Sequence, residues 1–479
     1  MIESDDEGDE SKKIAVIGGG ITGLTAAFYL EKSARDHRLP LDVVLIESSL
    51  RLGGKIQTLR KDGFIIERGP ESFIDHDDSM TELTEHLGIQ DEVVSNNRGQ
   101  TYIAVGTHLY PIPNGILFGG APIVTSLLTS GIVSLSGKVR AAGDLFLPKT
   151  KEEKDEPIGD FFRRRFGKEV VENLVEPLLA GTFAGDIDRL SIQSMFPEIY
   201  EMEKQYRSLI YGMKKSHFSL FNQVKGYQTF KNGLETLVEK IEECLPSKTI
   251  LKGVKVESID RLQDGTMQIY FNNIAPLKCD AVIVTTTLNQ AKNMFAHYGI
   301  FHEIPDMNYA TIATVTMAFE KMENGNYQDA ISFYFSRNSD ISITTCTWSN
   351  HKWNNVAPDG YDLIRTYIGR VGDEAIVELS DADIEKTVLH DLEKSIGIKQ
   401  KPKFTIVSRW KQSMPQYTVG HEKRLEKMKE ILKKEFPYVK LAGSSYEGIS
   451  VPDCVTQGKQ AAEEIISELF HIHKEYLLT

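Results

Sequence analysis

Cysteine is scarce in this sequence of 479 residues, and its four copies lie far apart. Cys244, Cys279, Cys346 and Cys454 form no C-x-x-C pair, so the sequence offers no cysteine site for zinc or for an iron–sulfur cluster. The low count also fits a reducing cytoplasm. We therefore expect a protein that is stabilised by its buried core and holds no metal.

An excess of basic residues is also absent. The chain carries 55 basic and 68 acidic residues, which gives a net charge of −13. Because a nucleic-acid-binding surface must neutralise phosphates, nucleic acid is excluded as the main partner. Residues 1–10 are strongly acidic, whereas a signal peptide begins with basic residues. We expect those residues to form a solvated, frayed tail.

The sequence has no stretch typical of a membrane-spanning helix. Residues 109–137 carry no charge, but three prolines and five glycines interrupt them. A segment that dips into a membrane surface or lines a channel is one interpretation, and a buried loop with a helix is the other. The sequence therefore predicts a cytoplasmic protein with at most a peripheral contact to a membrane.

The chain is long enough for about three domains at ~150 residues each. Its patterning predicts a mixed α/β fold in three parts. A discontinuous, Rossmann-like dinucleotide-binding domain is expected over residues 11–95, 225–290 and 435–479. A helical domain is expected over residues 96–215, and a substrate-binding domain with long alternating strands over residues 291–434.

The strongest motif is a glycine fingerprint between a predicted strand and a predicted helix. Gly18-Gly19-Gly20-Ile21-Thr22-Gly23 directly follows the apolar run KIAVI. In such a motif the first glycine permits a tight turn, the second lets the backbone approach a pyrophosphate, and the third lets the helix pack on the strand. Glu47 ends the next predicted strand, where a carboxylate can accept a hydrogen bond from a ribose hydroxyl. Together these features predict a bound dinucleotide.

Three further segments have the composition of cofactor-binding loops. In RLGGK, two glycines precede Lys55, which suits a loop over phosphates or a flavin edge. ERGPES, at residues 67–72, suits backbone next to a cofactor. Either segment could instead be an ordinary turn. Residues 448–453 lead into a helix with Pro452 in its first turn, where backbone N–H groups could meet a second face of the cofactor.

These segments, in this order, resemble the flavin-binding superfamily that includes monoamine oxidases, carotenoid desaturases and protoporphyrinogen oxidases. Within it, the chain is most similar to the porphyrinogen oxidases of Gram-positive type, nearly from end to end. The resemblance rests on GGGITGL (18–24), GGKIQT (53–58), ERGPESF (67–73), SLSGKVRA (134–141), FFRRRFG (161–167), NLVEPLLAGTFAGD (173–186), SRNSD (336–340), MPQYTVGH (414–421) and YEGISVPDC (446–454).

The resemblance implies that FAD is bound, that dioxygen accepts the electrons, and that a porphyrinogen undergoes a six-electron oxidation. It favours coproporphyrinogen III as the substrate, with protoporphyrinogen IX also accepted, and other haem-pathway enzymes as partners. Monoamine oxidases carry a flavin-bonding cysteine just after a tryptophan. Residues 411–421 contain none, so FAD is expected to be non-covalent. The flavin contacts implied by position are Gly18, Gly19, Gly20, Ile21, Thr22, Gly23, Glu47, Ser48, Lys55, Gly69, Pro70, Glu71, Ser72, Val256, Trp410, Ile449, Ser450 and Val451.

Candidate substrate residues are fewer. Arg163 and Arg165 could bind the propionates of a porphyrinogen, although three successive arginines more often form a solvated helix face. Ile331, Phe333 and Tyr334 are expected to line an apolar pocket or to belong to a strand core. Residues 75–78 (DHDD) depart from the family, whose members often carry Arg or Lys there. No catalytic side chain is assigned, and His302 and His421 are as well explained as surface or capping residues.

Two other functions remain open from the sequence. One is an amine oxidase or carotenoid desaturase of the same superfamily. The other is a non-enzymatic binder resembling the Rab GDP-dissociation inhibitors, which share the fold but hold no flavin. Glu47 and the turn at residues 448–453 are both intact in this sequence, which counts against the non-enzymatic binder. The colour of the purified protein would distinguish the two, because a flavoenzyme is yellow and a binder without flavin is colourless.

Overall fold

The computed structural model describes residues 11–112, 130–150, 154–216, 226–322 and 327–472. The predicted acidic tail lies outside these residues, and so does most of the uncharged segment 109–137. None of the described helices combines the length and the apolar character needed to cross a membrane.

Nineteen strands are described. In chain order they are β1 (Lys12–Ile17), β2 (Leu41–Glu47), β3 (Thr58–Lys61), β4 (Phe64–Glu67), β5 (Val93–Ser95), β6 (Gln100–Val105), β7 (His108–Pro111), β8 (Gln228–Phe230), β9 (Ile250–Lys252), β10 (Val256–Arg261), β11 (Met267–Phe271), β12 (Leu277–Cys279), β13 (Ala281–Val284), β14 (Tyr309–Glu320), β15 (Ala330–Phe335), β16 (Ile343–Trp348), β17 (Tyr361–Ile368), β18 (Phe404–Pro415) and β19 (Val439–Leu441).

The described helices alternate with the strands or cluster between residues 135 and 216. They are Ile21–Asp36, Ser79–Leu87, Leu135–Ala142, Ile158–Phe166, Lys168–Val170, Glu176–Phe183, Ile192–Met195, Pro197–Tyr206, Leu209–Ser216, Glu235–Cys244, Leu288–Met294, Ser349–Lys352, Asp381–Ile396, His421–Glu435 and Val451–Phe470. A π-helical turn, Val171–Val175, precedes the helix Glu176–Phe183.

A parallel sheet has the order β19-β13-β1-β2-β9 and contains the strands predicted for the dinucleotide-binding domain. Because side chains alternate along a strand, Ile14 and Val16 of β1 pack on one face and Ala15 and Ile17 on the other. The helices Ile21–Asp36 and Val451–Phe470 cover the first face. The helices Leu288–Met294 and His421–Glu435 cover the second. The sheet is therefore doubly wound, and its strands come from distant parts of the chain.

A second, seven-stranded sheet has the order β18-β14-β17-β16-β15-β6-β7. Its pairs are antiparallel except for β15 with β6, which run parallel. Val315 and Met317 of β14 face the helix Asp381–Ile396 in one apolar core. Ile312 and Thr314 of the same strand face a cavity on the opposite side. This sheet therefore forms one wall of that cavity.

The domain boundaries expected from the sequence differ from the structure at two places. Residues 100–111, expected in the helical domain, form β6 and β7 at the edge of the seven-stranded sheet. The helix His421–Glu435, expected in the substrate-binding domain, packs on the parallel sheet through Leu425, Met428 and Leu432. Both differences arise because sequence pattern predicts an element but not the sheet that it joins.

Candidate active site

A cavity of about 1380 Å³ lies between the parallel sheet, the seven-stranded sheet and the helix Glu176–Phe183. Its volume exceeds the ~300–1,000 Å³ of an ordinary small-molecule site. The carboxyl ends of β1 and β2 contribute Gly18 and Glu47, and the seven-stranded sheet contributes Thr314 and Tyr367. Doubly wound sheets bind their ligands at such carboxyl ends.

The glycine fingerprint has two kinds of position. A Cβ on Gly23 would lie 1.9 Å from the carbonyl oxygen of Gly18, so only glycine lets the helix approach the strand here. A Cβ on Gly20 would meet no atom within 4 Å, because Gly20 faces the cavity. Gly20 is also the N-cap of the helix Ile21–Asp36, and no side chain caps that end. Free N–H groups at a helix N-terminus next to open space fit a bound phosphate.

Glu47 is fixed at the cavity edge by backbone groups. Its Oε2 accepts a hydrogen bond from the N–H of Gly19 at 2.7 Å, and its Oε1 accepts one from the N–H of Ser49 at 2.7 Å. The carboxylate therefore has a defined position at the end of β2. It lines the cavity together with Ser48 and Val256.

The loop segments converge on the same cavity. The Nζ of Lys55 lies 3.2 Å from Ser444 Oγ, and burial lowers the pKa of Lys55. A Cβ on Gly69 would lie 1.8 Å from the carbonyl oxygen of Lys55, so these two loops touch through their backbones. Trp410 Nε1 donates to the carbonyl of Arg68 at 2.7 Å, which orients the indole toward the loop 69–72.

Tyr417 holds the turn at residues 448–453, which precedes and begins the helix Val451–Phe470. Its hydroxyl accepts a hydrogen bond from the N–H of Gly448 at 3.1 Å and donates to the carbonyl of Ser444 at 2.9 Å. The ring of Tyr417 stacks on His421, with 4.0 Å between the ring centroids. His421 Nε2 donates to the carbonyl of Tyr446 at 2.8 Å, and burial lowers the pKa of His421. His421 is therefore a neutral residue that supports the turn, whereas His302 is exposed.

Most of the residues predicted for the cofactor line this cavity. They are Gly18, Gly20, Ile21, Thr22, Glu47, Ser48, Lys55, Gly69, Pro70, Glu71, Ser72, Val256, Trp410, Ile449, Ser450 and Val451. Of the predicted apolar substrate residues, Ile331 and Tyr334 line it as well. Gly19 and Gly23 lie behind its wall, and Phe333 is buried in the core between the seven-stranded sheet and the helix Asp381–Ile396.

A family model described as "Flavin containing amine oxidoreductase" matches residues 21–466. The chain belongs to this family. A Bacillus subtilis (strain 168) protein named coproporphyrinogen III oxidase is 44% identical over 468 residues, which cover 96% of this chain and 99% of the relative. A Staphylococcus aureus protein of the same name is 38% identical over 470 residues, which cover 96% of this chain and 100% of the relative.

Solved structures agree with the sequence relatives. The crystal structure of an Exiguobacterium protein, described as a candidate protoporphyrinogen oxidase, is 34% identical to this chain. It superposes with a TM-score of 0.84 and covers 96% of this chain and 100% of its own. The family, the mixed α/β fold class and the class of flavin-dependent oxidoreductase predicted from the sequence are thereby confirmed.

Two predicted substrate residues do not fit this flavin-family site. Arg165 is fully buried, and its guanidinium contacts Asp144 Oδ1 at 2.5 Å and Glu203 Oε1 at 3.4 Å. Arg163 contacts Asp188 at 2.5 Å on the outer side of the same helix. Neither arginine is among the described residues that line the cavity, and both are already paired with carboxylates, so the structure offers no support for their predicted role as propionate ligands. The sequence could not show that Arg165 is buried, because its acidic partners lie up to 38 residues away.

The segment 75–78 that departs from the family has a role of its own. His76 Nε2 lies 3.3 Å from Asp453 Oδ1, and this hydrogen bond raises the pKa of His76 to about 9. Asp77 accepts a hydrogen bond from the hydroxyl of Thr456 at 2.6 Å. The segment thus ties the loop before the helix Ser79–Leu87 to the first two turns of the helix Val451–Phe470.

Three charged residues form a cluster at the cavity, and the sequence predicted only one of them, Glu71, as a site residue. The carboxylate of Glu71 contacts both Lys352 and Arg365, and Arg365 also donates to the carbonyl of Gly69. The signal available in the sequence is weak: Arg365 interrupts an otherwise uncharged run, LIRTYI. The partner of Arg365 could not be predicted, because Glu71 lies almost 300 positions away in the sequence.

Proposed function

We propose that this chain binds FAD without a covalent bond and uses dioxygen to oxidise coproporphyrinogen III to coproporphyrin III. Protoporphyrinogen IX is proposed as a second substrate. The observation that carries the proposal is the large cavity described above, which the glycine fingerprint and one face of the seven-stranded sheet both line. The names of the two close relatives direct the choice of substrate.

The residues present fit FAD. The uncapped helix N-terminus at Gly20 would hold the pyrophosphate, and Glu47 would accept a hydrogen bond from the ribose. The loop 69–72, Trp410 and the turn 449–451 would hold the flavin end. Cys454 lines the cavity, but burial raises the pKa of its thiol to about 11. A protonated thiol is a poor nucleophile, which supports a non-covalent flavin.

FAD, when bound, supplies a hydride acceptor that dioxygen can reoxidise. The side chains have a different task, since they must hold a flat macrocycle against the cofactor and keep water out. Ile312, Ile331 and Tyr334 offer an apolar surface for this on one sheet. Burial raises the pKa of Tyr334 and of Tyr367, so both phenols stay protonated and act only as neutral hydrogen-bonding groups. No side chain is proposed as the proton acceptor.

Peripheral contact with a membrane is also part of the proposal. Leu135 and Val139, one helical turn apart, are 79% and 68% exposed, and Phe146 just beyond that helix is 81% exposed. Such a cluster of exposed apolar side chains is unusual for a protein surface that contacts only water. Co-sedimentation with lipid vesicles tests this contact, and replacing Val139 and Phe146 with serine should reduce the bound fraction.

The decisive assay follows porphyrin fluorescence after adding coproporphyrinogen III or protoporphyrinogen IX, with and without oxygen. We expect oxygen-dependent product from both substrates and faster turnover of the first. The purified protein should be yellow, and acid precipitation should leave the flavin in the supernatant. A colourless protein would contradict the proposal, and so would a flavin that remains in the pellet. Oxidation of amines in place of porphyrinogens would favour the amine oxidase alternative.

A further inference from the structure

Two buried cations share one carboxylate at an end of the cavity. The side chains of Lys352, Arg365 and Glu71 are 7%, 2% and 13% exposed. Lys352 donates to Glu71 Oε1, and Arg365 Nη1 lies 3.2 Å from Glu71 Oε2. We call these three residues the Lys352 cluster.

The Lys352 cluster carries an excess of positive charge. Burial alone would raise the pKa of Glu71, but Lys352 and Arg365 outweigh burial and hold it below its usual value, so Glu71 is ionised. Burial raises the pKa of nearby Glu67 to about 7, and Glu67 accepts hydrogen bonds from Thr58 and Leu234. Within the described chain, Glu71 is the one carboxylate that contacts these two cations. Arg365 Nε has no hydrogen-bond partner among the described residues.

A buried charge without a counterion is unfavourable, so this end of the cavity suits one more anion. Lys352 is the member of the cluster that can reach it, because it lines the cavity and its Nζ lies 4.3 Å from the ring centroid of Tyr227. Two tyrosine rings flank the cluster: Tyr227 next to Lys352, and Tyr367, whose ring centroid lies 4.5 Å from the guanidinium carbon of Arg365. Lys352 and Arg365 are themselves buried, so the cluster is sheltered from water.

The other cations of the described lining lie with the cofactor residues. Lys55 contacts Ser444, and His76 contacts Asp453. Lys255 precedes Val256 in the strand region next to Glu47. Lys352 also contacts Glu71 of the loop proposed for the flavin end, but it lies on the helix Ser349–Lys352, directly after β16 of the seven-stranded sheet. Within the described chain it is therefore the lining cation on the side of that sheet.

We propose that Lys352 binds an inward-facing carboxylate of the porphyrinogen and so selects a tetracarboxylate over a dicarboxylate substrate. This inference rests on the proposed function. Protoporphyrinogen IX can turn its two propionates outward and place an uncharged edge inside. Coproporphyrinogen III carries propionates on every ring, so at least one must enter the cavity whichever edge leads. The attraction to a buried cation offsets the desolvation free energy of that carboxylate.

The test compares both substrates with variants at Lys352. For Lys352→Met we expect kcat/KM for coproporphyrinogen III to fall about 10- to 100-fold, the range for losing a hydrogen bond between charged groups. Most of the fall should appear in KM, because the contact forms on binding. For protoporphyrinogen IX, kcat/KM should change less than about threefold. Lys352→Arg should retain the preference, since it restores a cation.

Lys321→Met is the matched control. Lys321 is 57% exposed, but its Nζ lies 3.0 Å from the fully buried Asp362 Oδ1, so the variant removes a lysine from a buried carboxylate outside the cavity. We expect it to leave the substrate preference unchanged. Flavin content, melting temperature and flavin reduction potential are measured for every variant. If Lys352→Met does not bind flavin, Lys352→Gln replaces it, because glutamine removes the charge but can still donate to Glu71.

An equal loss on both substrates, or no loss on either, would overturn the inference. A shifted flavin potential together with an equal loss would instead assign the cation to the cofactor. The proposed function is tested separately by the wild-type protein. If the wild type oxidises coproporphyrinogen III but the Lys352 variants lower both activities equally, only the role of Lys352 is refuted.

Discussion

Gly20→Val separates cofactor binding from folding more cleanly than any other change in the glycine fingerprint. Gly20 has φ −71° and ψ 177°, an extended conformation open to any residue. A Cβ there would meet no protein atom within 4 Å. The valine side chain would instead extend into the cavity, into the space where a phosphate would contact the helix N-terminus. We therefore expect a folded protein that has lost its cofactor.

The expected magnitude follows from the groups at that helix end. If two backbone N–H groups bind the phosphates, and each hydrogen bond to a charged group contributes about 1.5–3 kcal/mol, the loss is about 3–6 kcal/mol. This corresponds to a Kd for FAD that is weaker by about 10²- to 10⁴-fold. The free energy of unfolding of the apoprotein should change by only about 0.5 kcal/mol.

The assay is a titration of apoprotein with FAD, followed by quenching of flavin fluorescence, together with urea denaturation. Gly23→Ala is the contrasting variant, because its Cβ would lie 1.9 Å from a backbone oxygen and should lower the stability of the apoprotein itself. A Gly20→Val protein with wild-type affinity for FAD would refute the placement of the pyrophosphate. A Gly20→Val protein that fails to fold would refute the view that this position is structurally free.

Two further predictions concern stability. Arg165→Met should lower the free energy of unfolding by about 3–5 kcal/mol in urea denaturation, since it leaves Asp144 buried without its cation, whereas Glu203 keeps its ion pair with Arg164. Replacing the partly exposed Arg163 with alanine should cost at most about 1 kcal/mol. An equal effect of both variants would contradict this. Glu67 keeps its proton up to pH about 7 in the folded protein but releases it near 4.5 when unfolded, so its contribution to stability is lost as the pH rises through that window. The free energy of unfolding of Glu67→Gln should therefore exceed that of the wild type by about 1–3 kcal/mol at pH 8 and by little at pH 4. A difference that does not depend on pH would argue against a buried carboxyl with a raised pKa.

The strand, turn and helix around the glycine fingerprint could be predicted from the sequence because they are local. Gly18, Gly20 and Gly23 lie within six residues, and the strand, turn and helix around them follow from the apolar runs on either side. Composition predicted the loops near Gly69 and Ile449 as cofactor-binding segments, although at residues 67–72 it also fits an ordinary turn, and the family resemblance assigned both loops to the flavin. The structure brings all of these segments to one cavity.

The substrate side could not be predicted in the same way. The choice of Arg163 and Arg165 relied on charge within one helix, and the structure shows that Arg165 is neutralised inside the helical cluster. The Lys352 cluster joins a loop near residue 71 to a strand and a short helix beyond residue 348. Such contacts depend on how two sheets pack, which no local periodicity encodes. The assignment of β6 to the seven-stranded sheet has the same cause.

The strand order of the parallel sheet has a consequence for synthesis of the protein. β1 lies in the middle of that sheet, but its neighbour β13 begins at residue 281 and the outermost strand β19 ends at residue 441. The first helix, Ile21–Asp36, packs against the last, Val451–Phe470. A ribosome adds about 5–20 residues per second, so tens of seconds pass between synthesis of the glycine fingerprint and synthesis of the last strand of its sheet. The nascent chain thus exposes apolar β1 and an incomplete parallel sheet until residue 441 has been made, and we expect it to capture its flavin only after that point.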